Sequence, residues 1–321
     1  MKPRISVVVP TYRRQDVLQR CLAALDQQDL DPDQYEVLVC DDAAEPATRQ
    51  LVEAIASRSK CPVRYLAVTG NHGPAAARNV GWRAAEAECL AFTDDDCIPQ
   101  PGWLTGGLAA IGSPADAAWG KLEMPLPPRP TDYERDAAGL AQAVFVTANC
   151  FCRRTVLEAV EGFDERFTAA WREDSDLYFS LLEHGFCVRH APAAVVLHPV
   201  RAARWAVSLR QQRKTLFNAL LYKKHRRLYR ERICAFPRGY YASVASLTAG
   251  IGAAVCGQPI WFLIAFAIWF VLTMEFCLRR LRGASLAPTH VAEMLVTSAL
   301  IPSLSLFWHA RGVWKFRAFF F

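Results

Sequence analysis

Over its first hundred residues the chain alternates short apolar runs with stretches whose apolar positions recur every three or four residues. The β-branched run at residues 5–9 predicts a strand closed by Pro10. Residues 14–27 follow with Val17, Cys21, Leu22 and Leu25 on one helical face. Residues 36–40 read as a second strand ending in Asp41 and Asp42, residues 47–59 as a helix, and residues 63–68 as a third strand. The helix predicted at residues 74–87 has Pro74 first, where its missing N–H does no harm. Residues 89–93 form the fourth strand, which runs directly into Asp94, Asp95 and Asp96. Repeated strand–helix units imply an α/β fold with a mostly parallel central sheet and right-handed crossovers. In such sheets ligands bind beyond the carboxyl ends of the strands. Here those ends carry Pro10-Thr11-Tyr12-Arg13, the Asp41-Asp42 pair and the triple aspartate.

After Trp103 the pattern loosens. Residues 121–136 are rich in proline and charge and predict a long loop over the site. A strand-like stretch at residues 143–153 leads into a short helix from Thr155 and a turn at residues 162–165. Residues 173–184 predict a helix with acids in its first turn and Gly185 beyond its end, as helix polarity prefers. Residues 187–190 and 195–198 read as two short strands, and no internal repeat is visible.

The C-terminal third differs in kind. Residues 239–274 hold no Asp, Glu, Lys or Arg over 36 positions, more than the ~20 that cross a bilayer once. Gly257-Gln258-Pro259 breaks this run into two predicted spans, about 241–256 and 260–278. A third apolar stretch, about 291–309, contains Pro302. If it spanned, Arg311, Lys315 and Arg317 would lie outside, against the positive-inside rule, so it reads as interfacial or re-entrant. The net charge of +6 is concentrated just before the first span, with twelve Lys or Arg against Glu231 alone over residues 201–238. That placement predicts a basic juxtamembrane segment at residues 206–238 facing the cytoplasm, following a domain at residues 1–205. No nucleic-acid motif accompanies the charge, and nucleic acid is not expected as a partner. The eleven scattered cysteines fit buried thiols in a reducing compartment. The N-terminus opens on a strand, so no N-terminal export signal is expected.

Chemistry concentrates at a few points. Three adjacent carboxylates at residues 94–96 repel one another unless cations, solvent or helix N-termini neutralise them. Hard divalent ions take such oxygens and share them with diphosphate; the other reading is an acidic turn before a helix near Pro101. Asp41 and Asp42 suit either turn chemistry or contacts to a base or ribose. Arg78 follows a glycine turn (Asn71-His72-Gly73-Pro74) by one helical turn, within reach of a phosphate or of the acids. Glu173 and Asp174 begin a helix, as a cap or as a general base. His198 ends a strand, as a structural side chain or as a further metal ligand.

Taken in order, ISVVVPTYRR, VCDDA, GNHGPAAARNVGW, FTDDDCIPQPGWL, the GFDE turn, REDSDL and the late LH resemble the inverting glycosyltransferases of family 2, over roughly residues 4–200. The resemblance implies a GT-A fold followed by a C-terminal helical membrane region. It implies a nucleotide-diphospho-sugar donor bound by Pro10, Thr11, Arg13, Asp42, Arg78, Asp94 and Asp95. It further implies Mn2+ or Mg2+ on Asp94, Asp96 and His198, and Asp174 as base with Glu173 beside it. Ala43 and Ala44 stand where the family usually continues Gly-Ser, and Arg201-Ala-Ala-Arg204-Trp205 departs from the Gln-x-x-Arg-Trp of processive members. Transfer of one sugar, at the cytoplasmic face of a bacterial inner membrane, to a membrane-associated or lipid-linked acceptor is the expectation. The alternative is a catalytically silent nucleotide-sugar-binding scaffold.

Overall fold

Short runs of branched apolar residues cannot bury themselves alone, and here they pair side by side. The structure, a computed structural model, describes residues 2–112, 114–233 and 238–318. In chain order it begins β1 (Ile5–Thr11), α1 (Gln15–Leu25), β2 (Tyr35–Asp41), α2 (Pro46–Ala56), β3 (Val63–Ala67), α3 (Pro74–Ala84) and β4 (Cys89–Phe92). It continues with β5 (Ile98–Pro99), α4 (Trp103–Ala110), β6 (Ala117–Glu123), α5 (Asp132–Ala138), β7 (Cys150–Arg153), α6 (Arg154–Ala159), α7 (Glu173–Glu183) and β8 (Val188–Leu197). The eight strands form one sheet in the order β3-β2-β1-β4-β7-β6-β8-β5. β3, β2, β1 and β4 are mutually parallel, while β7 runs antiparallel to both its neighbours.

All seven residues of β1 and of β2 are buried, as expected of central strands covered on both faces. Each wholly buried Val or Ile of β1 contributes about 1.5–3 kcal/mol by leaving water, an upper estimate. Pro10 continues β1 opposite Cys40 of β2, two residues after pairing with β4 has ended at Val8. With a partner on one side only, its missing N–H is tolerated. α1 buries Leu18, Cys21, Leu22 and Leu25, so Leu18 rather than Val17 completes the inward face. α3 crosses close to the sheet at Gly81, where an added Cβ would lie 2.7 Å from Cys40 Sγ and also meet Val8.

The middle of the chain departs from its sequence pattern. Residues 121–123, expected at the start of the long loop, instead complete the strand β6, because Gly120 lets the backbone approach Ala194 and Asn149 closely. Asn149 repays that approach by donating to the carbonyls of Lys121 and Ala194. Only residues 150–153 of the long predicted strand pair, and β8 runs unbroken through the two short strands expected, with a register shift opposite Gly120/Lys121.

The chain divides into two compact units, Met1–Pro125 with Gly139–Val200, and Leu126–Ala138 with Arg201–Phe321. The first is the α/β unit with its mixed, mostly parallel sheet. The second holds α5 and then α8 (Val207–Gln211), α9 (Phe217–Lys224), α10 (Arg226–Arg232), α11 (Arg238–Val255), α12 (Pro259–Leu281) and α13 (Pro288–Phe316). Residues 234–237 of the basic segment lie outside the described residues. α12 and α13 are long and apolar enough to cross a membrane. α12 exposes Trp261, Leu263, Ile264, Phe266, Phe270 and Val271, and such a surface points to membrane association. α13 continues helically through Pro302 instead of breaking there.

Candidate active site

The three acids after β4 diverge. Asp94 accepts a hydrogen bond from Arg78 Nη2 at 2.7 Å. Asp95 is wholly buried, accepting from Thr11 Oγ1 at 2.7 Å and facing Arg14 Nη2 at 2.7 Å. Burial pushes its carboxyl up to about 6 against the opposing pull of Arg14 and Thr11. Asp96 lies 3.8 Å from His198 Nε2 and 3.8 Å from Arg14 Nη1. Mutual repulsion among adjacent carboxylates is thus relieved by turning Asp94 to Arg78 and by placing Arg14 between Asp95 and Asp96.

Arg78 is the pivot. Its guanidinium is 2% exposed, lies 5.7 Å from the Phe163 ring centre, and joins Asp94 to Glu173 Oε1 at 3.2 Å, a residue 95 positions away. Burial works against the Arg78 charge, but Asp94 and Glu173 outweigh it and the group is held protonated above its ordinary range. Glu173 Oε2 is buried with no hydrogen-bond partner among the described residues. Arg172, in the left-handed region at φ 77°, turns the chain so that α7 starts with Glu173 and Asp174. Asp174 Oδ1 accepts from Ser175 N at 2.6 Å. Burial raises both carboxyls, Glu173 further through the charge of Asp174, whereas the Ser175 N–H pulls Asp174 back. Arg78, Asp94, Trp171, Arg172, Glu173 and Asp174 line one cavity of about 300 Å³.

The other strand ends are held by short-range bonding. Asp41 accepts from the backbone N–H of Ala43 and Glu45 and from the Tyr65 hydroxyl. Asp42 accepts from Gly73 N at 3.0 Å and lies 3.0 Å from His72 Nδ1. That anchors the turn before α3, where Gly73 takes φ 112° and would press a Cβ 3.0 Å from Thr168 O. Pro10 and Thr11 are buried, while Arg13 is exposed and pairs with Glu45 at 3.0 Å. Of the residues expected at the donor, Asp42 and Thr11 are therefore engaged in holding loops, and Asp95 is enclosed.

Asp96, Cys97 and His198 place one ligand atom each within 4.8 Å of one another. A carboxylate and an imidazole suit a divalent ion such as Mn2+, so the residues present fit a cation there. Asp94 is outside that trio, its carboxylate turned to Arg78. Sequence reasoning overlooked Arg14 and Cys97. Arg14 carried a signal, since it is the second arginine of the TYRR run at the first strand end, whereas Cys97 looked like one more buried thiol. It also missed Glu165, which accepts from Asn71 and Asn79 and ties the turn after Gly162 to α3.

Residues 6–158 match the family described as Glycosyl transferase family 2, and residues 133–308 match Glycosyl transferase family group 2. The chain is 29% identical over 211 residues to glycosyltransferase AglE of Haloferax volcanii, covering 62% of this chain and 68% of that protein. It is 29% identical over 222 residues to validoxylamine A glucosyltransferase of Streptomyces hygroscopicus subsp. limoneus, covering 57% of this chain but 49% of that relative. In three dimensions it is similar to mannosyltransferase PcManGT from Pyrobaculum calidifontis, solved with GDP-Man and Mn2+, at TM-score 0.57 and 18% identity, covering 98% of this chain and 88% of that one. S. aureus TarS 1-349 in complex with UDP-GlcNAc gives 0.51 and 17%, covering 94% and 90%. These likenesses show the GT-A fold.

Proposed function

Because this chain belongs to glycosyltransferase family 2, we propose that it moves a single sugar from a nucleotide-diphospho-sugar to a hydroxyl of a membrane-associated acceptor, with inversion at the anomeric carbon. One observation carries the reading. Arg78 bonds Asp94 at the end of β4 to Glu173 at the start of α7, and Asp174 lines the same cavity. One acid that leaves the sheet and two that begin a distant helix therefore face one volume.

In this reading Asp174 removes the proton of the acceptor hydroxyl as it attacks. Such a base typically contributes ~10²–10⁴-fold in rate. Its raised carboxyl is a stronger proton acceptor than an ordinary aspartate. Glu173 is fixed by Arg78 at one oxygen and has the other uncommitted, which suits it to receive a hydroxyl of the acceptor. Arg78 stays charged throughout and holds Asp94 in place against the cavity. Asp96 and His198, with Cys97 beside them, would hold a divalent cation. When bound, Mn2+ or Mg2+ would supply the positive charge that a departing nucleotide diphosphate needs. The PcManGT complex with GDP-Man and Mn2+ supports a cation in that role. Pro10, Thr11, Arg13 and Asp42 are proposed to bound the donor's nucleoside end, Thr11 and Asp42 through the backbone they hold.

The apolar helices α12 and α13 support an acceptor presented at a membrane, including a lipid-linked one, with the α/β unit on the cytoplasmic side where the basic segment lies. The test is a panel of UDP-, GDP- and dTDP-sugars with the purified full chain, scored for cation-dependent binding and for transfer to water-soluble and lipid-linked acceptors. Proton NMR of the product reads the anomeric configuration. Retention of configuration, or no binding of any donor, would remove the proposal.

A further inference from the structure

The cavity beside Glu173 and Asp174 has two unlike sides. Asp94, Glu173 and Asp174 bring three carboxylates to it, against the guanidinia of Arg78 and Arg172. The rest of the lining is mostly apolar, and two of its large side chains are open, Val144 at 47% exposed and Trp171 at 38%. Single exposed apolar residues are ordinary on a surface. Two that share a cavity with a buried, unpartnered carboxylate oxygen, Glu173 Oε2, have the composition of a ligand site.

The apolar side is held against strain. Phe145, between Val144 and Val146 of the lining, takes φ 57°, the left-handed region that a bulky side chain rarely adopts. Such a conformation persists only where its surroundings enforce it, and it clusters at ligand sites. Here the Phe145 ring is 1% exposed and stacks on Tyr178 of α7, with ring centres 5.4 Å apart and planes at 14°. Further along the same segment, Ala148 O accepts from Thr93 Oγ1 at 3.1 Å, the residue before Asp94. The segment is thus anchored both to the helix that carries Glu173 and Asp174 and to the strand end that carries Asp94. Trp171 directly precedes the left-handed Arg172, whose guanidinium lies 4.8 Å from the indole ring centre and steadies it.

We infer that this wall is an acceptor subsite for a neutral pyranose ring, so that the attacking hydroxyl belongs to a sugar already in place. The inference rests on the transfer reading above and deepens it. A pyranose carries C–H bonds across its faces and hydroxyls around its rim. Its face can cover Trp171 and Val144 while its rim meets Glu173 Oε2 and Asp174. A serine or threonine hydroxyl has no broad face to lay on an indole. A lipid phosphate would set its charge among three carboxylates, two of which already share Arg78. In the step, the ring hydroxyl oxygen bonds to the donor's anomeric carbon and its proton passes to Asp174. The bond from that carbon to the diphosphate oxygen breaks, and its electron pair leaves on the diphosphate. The acceptor therefore bears a sugar attached by an earlier glycosyl transfer.

The experiment uses the full chain in nanodiscs with methyl pyranosides of glucose, galactose, mannose and N-acetylglucosamine, farnesyl phosphate, and a serine-containing peptide. Saturation-transfer NMR reads pyranoside binding without any turnover, and transfer is measured with each sugar of the nucleotide-sugar panel. A pyranoside is expected to bind through its C–H protons and to accept the sugar. Trp171→Ala should raise its KM roughly tenfold with kcat changed far less, Trp171→Phe should restore most of the loss, and Val144→Ala should raise KM about threefold. Donor hydrolysis by wild type without acceptor reports on the transfer reading alone. Pyranoside binding that is lost in Trp171→Ala, with no donor turned over, would support the subsite and count against that reading. Donor hydrolysis with no pyranoside bound would overturn the subsite and leave the reading standing. A preference for farnesyl phosphate or the peptide, or a wild-type pyranoside KM in Trp171→Ala, would overturn it as well.

Discussion

Replacing Arg78 by Met removes a buried cation from between two carboxylates while keeping most of the side-chain volume. The perturbation strips Asp94 of a 2.7 Å charge-assisted bond and Glu173 of a 3.2 Å one. Breaking a buried pair by deleting one partner typically costs ~3–5 kcal/mol, because the survivors are left uncompensated. For a domain of this size each kcal/mol lowers the unfolding temperature by about 2–4 °C, so a fall of roughly 6–20 °C is expected. The pH dependence carries the mechanism. Burial already holds Glu173 above the ordinary carboxylate range, and Arg78 opposes that rise. A carboxyl raised in the folded state favours folding when protonated, and its ionisation opposes folding as pH rises. Without Arg78 the rise is larger, so the deficit of Arg78→Met against wild type should widen towards alkaline pH and narrow in acid. Tryptophan-monitored unfolding of the full chain across mildly acidic to mildly alkaline buffers reads this directly. Adding Asp94→Asn and Glu173→Gln to the variant removes the stranded charges and should recover most of the loss. A deficit that is the same at every pH, or a triple variant no better than the single one, would refute the electrostatic account in favour of packing.

Asp174→Asn should bind nucleotide sugar like wild type yet lose ~10²–10⁴-fold in transfer rate, measured by single-turnover kinetics. Because burial lifts the Asp174 carboxyl, the acid limb of the rate profile should lie above the pH at which an ordinary aspartate ionises, and a limb at the ordinary position would contradict the assignment. Chelation should abolish transfer and Mn2+ or Mg2+ restore it, with Asp96→Ala and His198→Ala each raising the Mn2+ concentration required, read by electron paramagnetic resonance of bound ion. Gly81→Ala should destabilise the α/β unit by ~1–3 kcal/mol in denaturant unfolding, since its methyl would sit 2.7 Å from Cys40 Sγ and against Val8.

The first half of the fold was legible because its strands are short apolar runs between helical patterns, with β2 and β4 leading into acids. β1 to β4 fall within two residues of the lengths their pattern predicts. β6 was hidden, since AAWGKLE has few branched residues and its pairing depends on an amide from Asn149 that no local pattern reveals. β8 reads in the sequence as two short strands, residues 187–190 and 195–198, and its ladder to β6 does skip from Ala191 to Val195, while the backbone stays extended across the gap. In the site, Arg78 and the 173–174 pair were visible as charged residues at helix starts, but their mutual contact is a product of the fold. Asp95, expected at the donor, closes a buried link from β1 to α1 through Thr11 and Arg14. Nothing in three identical adjacent side chains tells which one turns inward.

The left-handed backbone at Arg172 has a consequence for how this cavity can be re-engineered. Since Glu173 and Asp174 are the first two residues of a rigid rod, a rotation about residue 172 swings both carboxylates by one common angle. The angle between their Cα–Cβ directions is set by helical geometry, and Arg78 and Ser175 N hold the two carboxylates at their ends. A different sequence ahead of α7 could admit a different acceptor only if residue 172 keeps its unusual bend and the anchors at Glu165, Phe167 and Thr168 are kept. Glycine is the side-chain-free replacement that would make the bend easier, and loosen the aim of both acids together.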